Sequence, residues 1–252
     1  MTWNPLKRLA RKRAAERPFT DDERADIERE LSFVRSMPAA DRERFDAHVR
    51  MFKDEKRFEG VRVDVTDTMK TVIAGCAARL SRNIGFHIYD DVMSVVVYPD
   101  AFVVPRQEKG PSGHDDGAGS AVALGVHHAF GTVVLSYAAV LSGLRNPDDG
   151  HDTALHEFAH AIDAVDGGHD GTPTLSPRAS REWARVFSAH FEALRRRPHA
   201  GPFRAYGATN EAEFFAVATE AFFEKPRALR RKAPEVYEAL STYFAVDPAH
   251  ES

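Results

Sequence analysis

The chain holds one cysteine, Cys76, among its 252 residues. A lone cysteine excludes an internal disulfide and any zinc site built on several thiolates. With no oxidised framework to maintain, the expected compartment is the reducing cytoplasm, and Cys76 itself reads as a small buried hydrophobe. Long apolar runs are missing too. The longest, near residues 92–98 and 132–141, fall short of the roughly 18 residues a membrane helix needs. Residues 1–17 lack the apolar stretch of a secretory signal, so no export is expected. There is no G-x-S-x-G elbow, no phosphate-binding P-loop and no dinucleotide fingerprint. Neither sign of charge dominates, because 34 Lys and Arg stand against 38 Asp and Glu for a net −4. That balance argues against nucleic acid as a direct partner.

What is present suits a folded domain. Hydrophobic residues make up 43 % and charged residues 29 %, enough to build a core and too apolar for a disordered chain. The length fits one large domain. Charge is unevenly placed: residues 1–17 carry Lys7, Arg8, Arg11, Lys12, Arg13 and Arg17 against Glu16, a net +5, which leaves −9 on the remainder. This reads as a basic N-terminal arm, a solvated and frayed helix, ahead of a body over residues 18–252.

Periodicity gives a mixed α+β layout, helix-rich at both ends with a small sheet between. Thr20 with Glu23 forms a capping box opening a helix to about residue 36, broken at Pro38. Asp41 is expected to cap a second helix through Lys56, with Phe45, His48, Val49 and Phe52 on one face. Residues 62–65 alternate like a strand. Thr66 starts an apolar helix to about Arg82. Strands are expected at 92–98, 102–104, 121–126 and 131–136, with a glycine-rich loop over 110–119. Helices follow at 137–144, 153–163, 178–197, 210–224 and 234–243, with 203–209 a loop. Trp183, Phe187 and Leu194 read as core. His127 and His128 are adjacent and would point to opposite faces of a strand, a poor metal pair.

The chemistry lies in His156-Glu157-Phe158-Ala159-His160, which fits H-E-x-x-H. Four residues apart on a helix, His156 and His160 point the same way and can hold one metal ion. Glu157 leaves the helix beside that ion, where it can take a proton from water and pass it to a leaving amine. In this composition a chance match is expected about 0.04 times per chain. The flanks are apolar, so the helix should be buried and its polar groups need partners. A catalytic zinc takes three protein ligands. Candidates for the third are Asp163, Asp166, His169, Asp170, His190, Glu211, Glu213 and Glu220. Asp163 shares the helix face, and three residues past His160 it suits a supporting role as well as ligation. Glu213 opens the apolar run Phe214-Phe215-Ala216-Val217 and is the better ligand; alternatively it caps its own helix with Asn210.

His156–Asp163 (HEFAHAID), Asp166-Gly167, Gly171-Thr172-Pro173, Tyr206-Gly207 and Glu211–Val217 (EAEFFAV) occur in one order. In that order the chain resembles the Mlc titration factor A family of bacterial zinc-dependent peptidases, whose catalytic core is similar to that of anthrax lethal factor. Lys56–Gly60 (KRFEG), Val97-Tyr98-Pro99 and Val133–Ser136 (VVLS) add to the resemblance, which covers about residues 45–225. It implies a gluzincin-type site: His156, His160 and Glu213 as zinc ligands, Glu157 as general base, and Tyr206 near the metal, donating to the oxyanion. It implies a peptidase domain over 18–252, with aminopeptidase activity resting on the resemblance alone. Many gluzincins carry an aspartate four residues after the third ligand. Here that position is Val217, so the acid that orients a ligand must be Asp163 or Glu220. A peptide substrate would lie extended along a sheet edge, with 131–136 the candidate strand. The family name also implies a different class of function, sequestration of a transcriptional repressor.

Overall fold

The computed structural model describes residues 5–104, 121–123, 125–128 and 131–251. The 110–119 loop lies outside the described residues. Eleven helices occur among them: α1 Pro5–Glu16, α2 Asp21–Glu30, α3 Ala39–Glu55, α4 Asp67–Ser81, α5 Tyr137–Arg145, α6 Thr153–Asp163, α7 Pro177–Arg196, α8 Glu211–Glu224, α9 Pro226–Lys232, α10 Pro234–Phe244 and α11 Pro248–Glu251. The strands are β1 Arg57–Gly60, β2 Ser94–Tyr98, β3 Phe102–Val104, β4 Ala121–Ala123, β5 Gly125–His128 and β6 Thr132–Ser136. The fold is α+β. One sheet runs β1-β2-β6-β5, with the first three strands parallel and β5 antiparallel at the edge. β3 and β4 form a separate antiparallel pair.

Local signals set most helix starts. Thr20 accepts from the Glu23 amide while the Glu23 carboxylate accepts from the Thr20 amide, the reciprocal cap read in the sequence. Thr66, Ser136, Asp152, Ser176 and Asn210 each cap a following helix through a side-chain oxygen. α4 is buried along all of Thr71–Ser81, as its apolar faces require. Around it Phe52 meets Tyr89 and Phe158 edge-on, at centroid separations of 5.5 and 5.6 Å. α7 lays Trp183, Val186, Phe187, Phe191 and Leu194 into the core, and Cys76 is buried.

Five expectations need correction. Asp41 does not cap α3: the helix opens at Ala39 behind Pro38, and Asp41 is buried, accepting from Arg44, Arg82 and Asn83. Residues 62–65 are not a strand. The strand is β1, just upstream, because the chain turns too tightly beyond it: a Cβ on Gly60 would lie 1.9 Å from the Val63 carbonyl oxygen, and Arg62 sits at φ 61°. Val63 and Val65 still pack on the core from that turn, which explains their alternation. The stretch 121–126 splits into β4 and β5, which pair in different sheets. Residues 131–136 are not a sheet edge. β6 is hydrogen-bonded on both sides, to β2 and β5, and β5 has β6 as its one ladder partner among the described residues. The basic segment is not a frayed helix. In α1, Arg11 forks onto Glu55 with Nε–Oε2 and Nη2–Oε1 distances of 2.7 and 2.9 Å, and Lys7 reaches Asp90 at 3.0 Å. Its charge is matched by acids of the body far away in sequence, which composition by segment does not reveal. Among the described residues no helix is long and apolar enough to cross a membrane.

Candidate metal centre

α6 begins where Asp152 accepts from the Leu155 amide at 3.0 Å. Nearly every residue of the helix is buried, His156 and Glu157 included. It packs against α4, α8, β5 and β6. α8 begins where Asn210 accepts from the Glu213 amide at 2.9 Å. So Asn210 does cap the helix, but the Glu213 carboxylate does not fold back to complete the pair; it turns toward α6. Gly171 sets this approach. It has φ +77°, and a Cβ there would lie 2.3 Å from the Glu211 carbonyl oxygen, so only glycine lets the loop touch the start of α8. The same residue donates to Asp163 at 3.1 Å and accepts from the Trp183 indole at 2.9 Å, linking the end of α6 to α7.

Three donor atoms converge. Glu213 Oε2 lies 2.9 Å from His156 Nε2 and 3.4 Å from His160 Nε2, and the two Nε2 atoms are 3.2 Å apart. Donors held about 2.0–2.2 Å from a tetrahedral zinc stand about 3.3–3.6 Å from one another, and the triangle is close to that size and slightly tighter. The chemistry agrees. His156 Nδ1 faces Glu220 Oε1 at 2.6 Å, which places the proton on Nδ1 and leaves Nε2 an acceptor. With both rings in the tautomer that leaves Nε2 bare, His156, His160 and Glu213 could offer three lone pairs to one metal ion. Burial opposes charge on His156, yet Glu213 and Glu220 together push its pKa up to about 10, a measure of how strongly the cluster calls for positive charge. Glu213 itself is held well below the usual carboxylate range: burial works against this, but hydrogen bonds from His156 and His160 prevail. Among the described residues this is the one group of three or more such side chains that could hold a metal ion.

Glu157 is buried beside the triad, and its Oε2 has no hydrogen-bond partner. Burial raises its pKa to about 7, with His156 and His160 pulling down and Glu213 and Glu220 adding to the rise. Tyr206 lies on the short turn Ala205–Ala208, its ring centroid 5.8 Å from that of His156. It is half-exposed, and its hydroxyl is pushed up to about 12 by partial burial and then by Glu213 and Glu157.

The other candidates go elsewhere. Asp163 accepts from Gly171, Asp166 from the Gly168 amide, Asp170 from the Thr172 amide, and His190 faces Glu235 at 3.6 Å. Of the two acids expected to orient a ligand, Glu220 is the one that meets His156: fully buried, it accepts from the Asp152 amide at 2.9 Å through Oε2 while Oε1 faces His156 Nδ1. Arg204 had no signal in the sequence. Its Nη2 lies 2.5 Å from Glu220 Oε1 and its Nε donates to the Gly150 carbonyl at 3.2 Å. It supplies the counter-charge that lets Glu220 stay buried, from a position two residues before Tyr206.

Comparison with known proteins agrees with the site. The family described as glucose-regulated metallo-peptidase M90 matches residues 6–245. An uncharacterized protein of Synechocystis is 32 % identical over 243 residues, covering 94 % of this chain and 88 % of its own length. Mlc titration factor A of Edwardsiella ictaluri is 29 % identical over 192 residues, covering 73 % and 72 %. The protein of the same name from Serratia proteamaculans is 28 % identical over 190 residues, covering 73 % and 71 %. A match that begins inside α1 and ends past α10 spans every element that builds the site, and the chain belongs to the glucose-regulated metallo-peptidase M90 family.

Proposed function

We propose that this protein is a gluzincin-type zinc peptidase, with His156, His160 and Glu213 holding the ion, Glu157 as general base and Tyr206 as a donor to the oxyanion. The observation that carries the reading is the convergence of three lone-pair donors from two buried helices beside a buried carboxyl oxygen with no partner. Zinc bound there supplies a Lewis acid and a water of lowered pKa. Glu157 takes the proton of the attacking water and returns it to the departing amine. Tyr206 stands on the open side of the triad, half-exposed, where its hydroxyl meets the carbonyl oxygen of an arriving peptide. Glu220 keeps the His156 proton on Nδ1, and Arg204 holds Glu220 in place. The peptide backbone lies extended along the edge strand β5, which packs on α6. The single buried cysteine fits a cytoplasmic setting.

The test is a panel of peptides with free and blocked amino termini, given to the zinc-loaded protein with and without chelator. Hydrolysis that stops on chelation supports the reading, and cleavage confined to free amino termini makes the enzyme an aminopeptidase. A zinc-loaded protein inert on every peptide sinks the peptidase reading. It would leave the second one, repressor binding, which the name Mlc titration factor A of two relatives favours.

Two variants probe the supporting groups. Glu220→Gln keeps the shape but weakens the hold on the His156 ring, and zinc affinity should fall about 10- to 100-fold in a competition titration against a chelator. Unchanged affinity removes Glu220 from the metal's support. Tyr206→Phe should lower kcat about 10- to 1000-fold, as for one lost oxyanion donor, with zinc content and KM little changed. Normal turnover makes Tyr206 a packing aromatic, and lost zinc makes its phenol a ligand.

A further inference from the structure

A second concavity opens at the far end of α8. Its volume is about 430 Å³ and its floor includes Arg79 and Glu224. Glu224 is eleven residues along the helix from Glu213, roughly 16 Å at the rise of an α-helix, so this is not the metal centre. Both floor groups are more than nine-tenths buried. The Arg79 guanidinium lies 4.3 Å from the ring centroid of Phe33 and 5.3 Å from that of Phe223. Its hydrogen bonds run to the Phe223 carbonyl at 3.0 Å and to Glu224 Oε1 at 3.5 Å.

The second of those bonds is long for an ion pair, where about 2.7–2.9 Å is usual. The partner is also a weak anion. Burial raises the Glu224 pKa to about 9, with Arg79 opposing and Asp152 and Asp149 adding to the rise. Its Oε2 has no hydrogen-bond partner. Arginine remains charged. A buried cation whose one carboxylate partner stands 3.5 Å away is a costly arrangement unless a closer anion completes it. Lys225, which makes no ion pair among the described residues, lines the cavity together with Arg82 and Arg227, against one further acid, Asp148. The guanidinium is a planar fork of donors, the shape that binds a two-oxygen acceptor.

We propose that this cavity is a binding site for the oxyanion group, carboxylate or phosphate, of a small metabolite-sized ligand, with Arg79 as its main ion partner and Lys225 at the mouth. A cavity of this size is in the range that holds such a molecule. The proposal is independent of the peptidase reading, and its test does not use activity.

Succinate, for the carboxylate source, and inorganic phosphate are titrated calorimetrically into the full-length zinc-loaded protein at fixed ionic strength, with sodium chloride as control. Saturable one-site binding of either probe, absent for chloride, is expected. The probe that binds names the source. Lys225→Glu, which reverses the rim charge, and Ala228→Trp, which fills the cavity, should each weaken binding about tenfold or more while leaving zinc content and melting temperature in place. Arg79→Lys should weaken it too, because a point charge does not replace the planar fork. The rim variants decide the matter if Arg79→Lys fails to fold. Binding should persist in Glu213→Ala, which separates it from any anion held by the metal. The proposal is overturned if neither probe saturates, if chloride competes equally, if both rim variants bind as the wild type does, or if Glu213→Ala abolishes binding.

Discussion

Glu157→Gln keeps its zinc and its fold but hydrolyses peptides about two to four orders of magnitude more slowly than the wild type. That is the range for losing a positioned acid–base group. The argument starts from burial. Glu157 is buried, one carboxyl oxygen has no partner, and the group titrates near neutrality at about 7. A side chain in that state is poised to accept a proton, and no ion pair or cap depends on it. Glutamine fills the same space, so the core around α6 need not adjust, and it removes a group whose ionisation burial opposes. Folding stability should therefore hold or rise slightly. The check is kcat/KM on a cleaved peptide, zinc per chain, and the melting temperature, all on one preparation. Hydrolysis at the wild-type rate would falsify the assigned base. A fall in zinc equal to the fall in rate would make Glu157 a ligand instead.

Glu213→Ala should reduce zinc from about one ion per chain to near none after dialysis, with Glu211→Ala unaffected. The two residues lie two apart at the start of α8, and only Glu213 faces the histidines, at 2.9 and 3.4 Å. Two imidazoles alone make a weak site, because a closed set of three fixes both the geometry and the charge. The loss should also register as stability, since an ion bound to the native state at about a thousand times its dissociation constant contributes roughly 4 kcal/mol. Chelator should lower the melting temperature of the wild type and leave that of Glu213→Ala nearly unchanged. The reverse pattern, zinc kept by Glu213→Ala and lost by Glu211→Ala, would move the third ligand by two residues. A melting temperature of Glu213→Ala that still falls with chelator would place the ion elsewhere.

Much of the molecule was legible in one dimension. The pair His156 and His160 sits four residues apart on α6, whose bounds Thr153–Asp163 follow from local signals: an aspartate cap and an apolar run. The same is true of the Thr20–Glu23 cap, of the burial of Trp183, Phe187 and Leu194 on α7, and of the Asn210 cap on α8. Helix periodicity and capping act within a few residues, so the chain's own order contains them. Glu213 stood out as the better third ligand by the apolar run it opens and by the family resemblance, and the choice between Glu220 and Asp163 stayed open. Tertiary structure brings both Glu213 and Glu220 against His156, across 57 and 64 residues, a contact set by how α8 lies on α6. It also decided that Arg204 stabilises Glu220, that Asp41 serves a buried network, that α1 is docked by Glu55 and Asp90, and that β5 and not β6 is the sheet edge. Strand order and long-range ion pairs have no local signature, since any strand of suitable pattern can take any place in a sheet and any acid can answer a distant base. What the sequence alone determined is therefore the helical face that presents two histidines and a glutamate. What only the packed structure decided is which distant carboxylates complete that face, because their selection is a property of how the helices pack and not of the chain's local order.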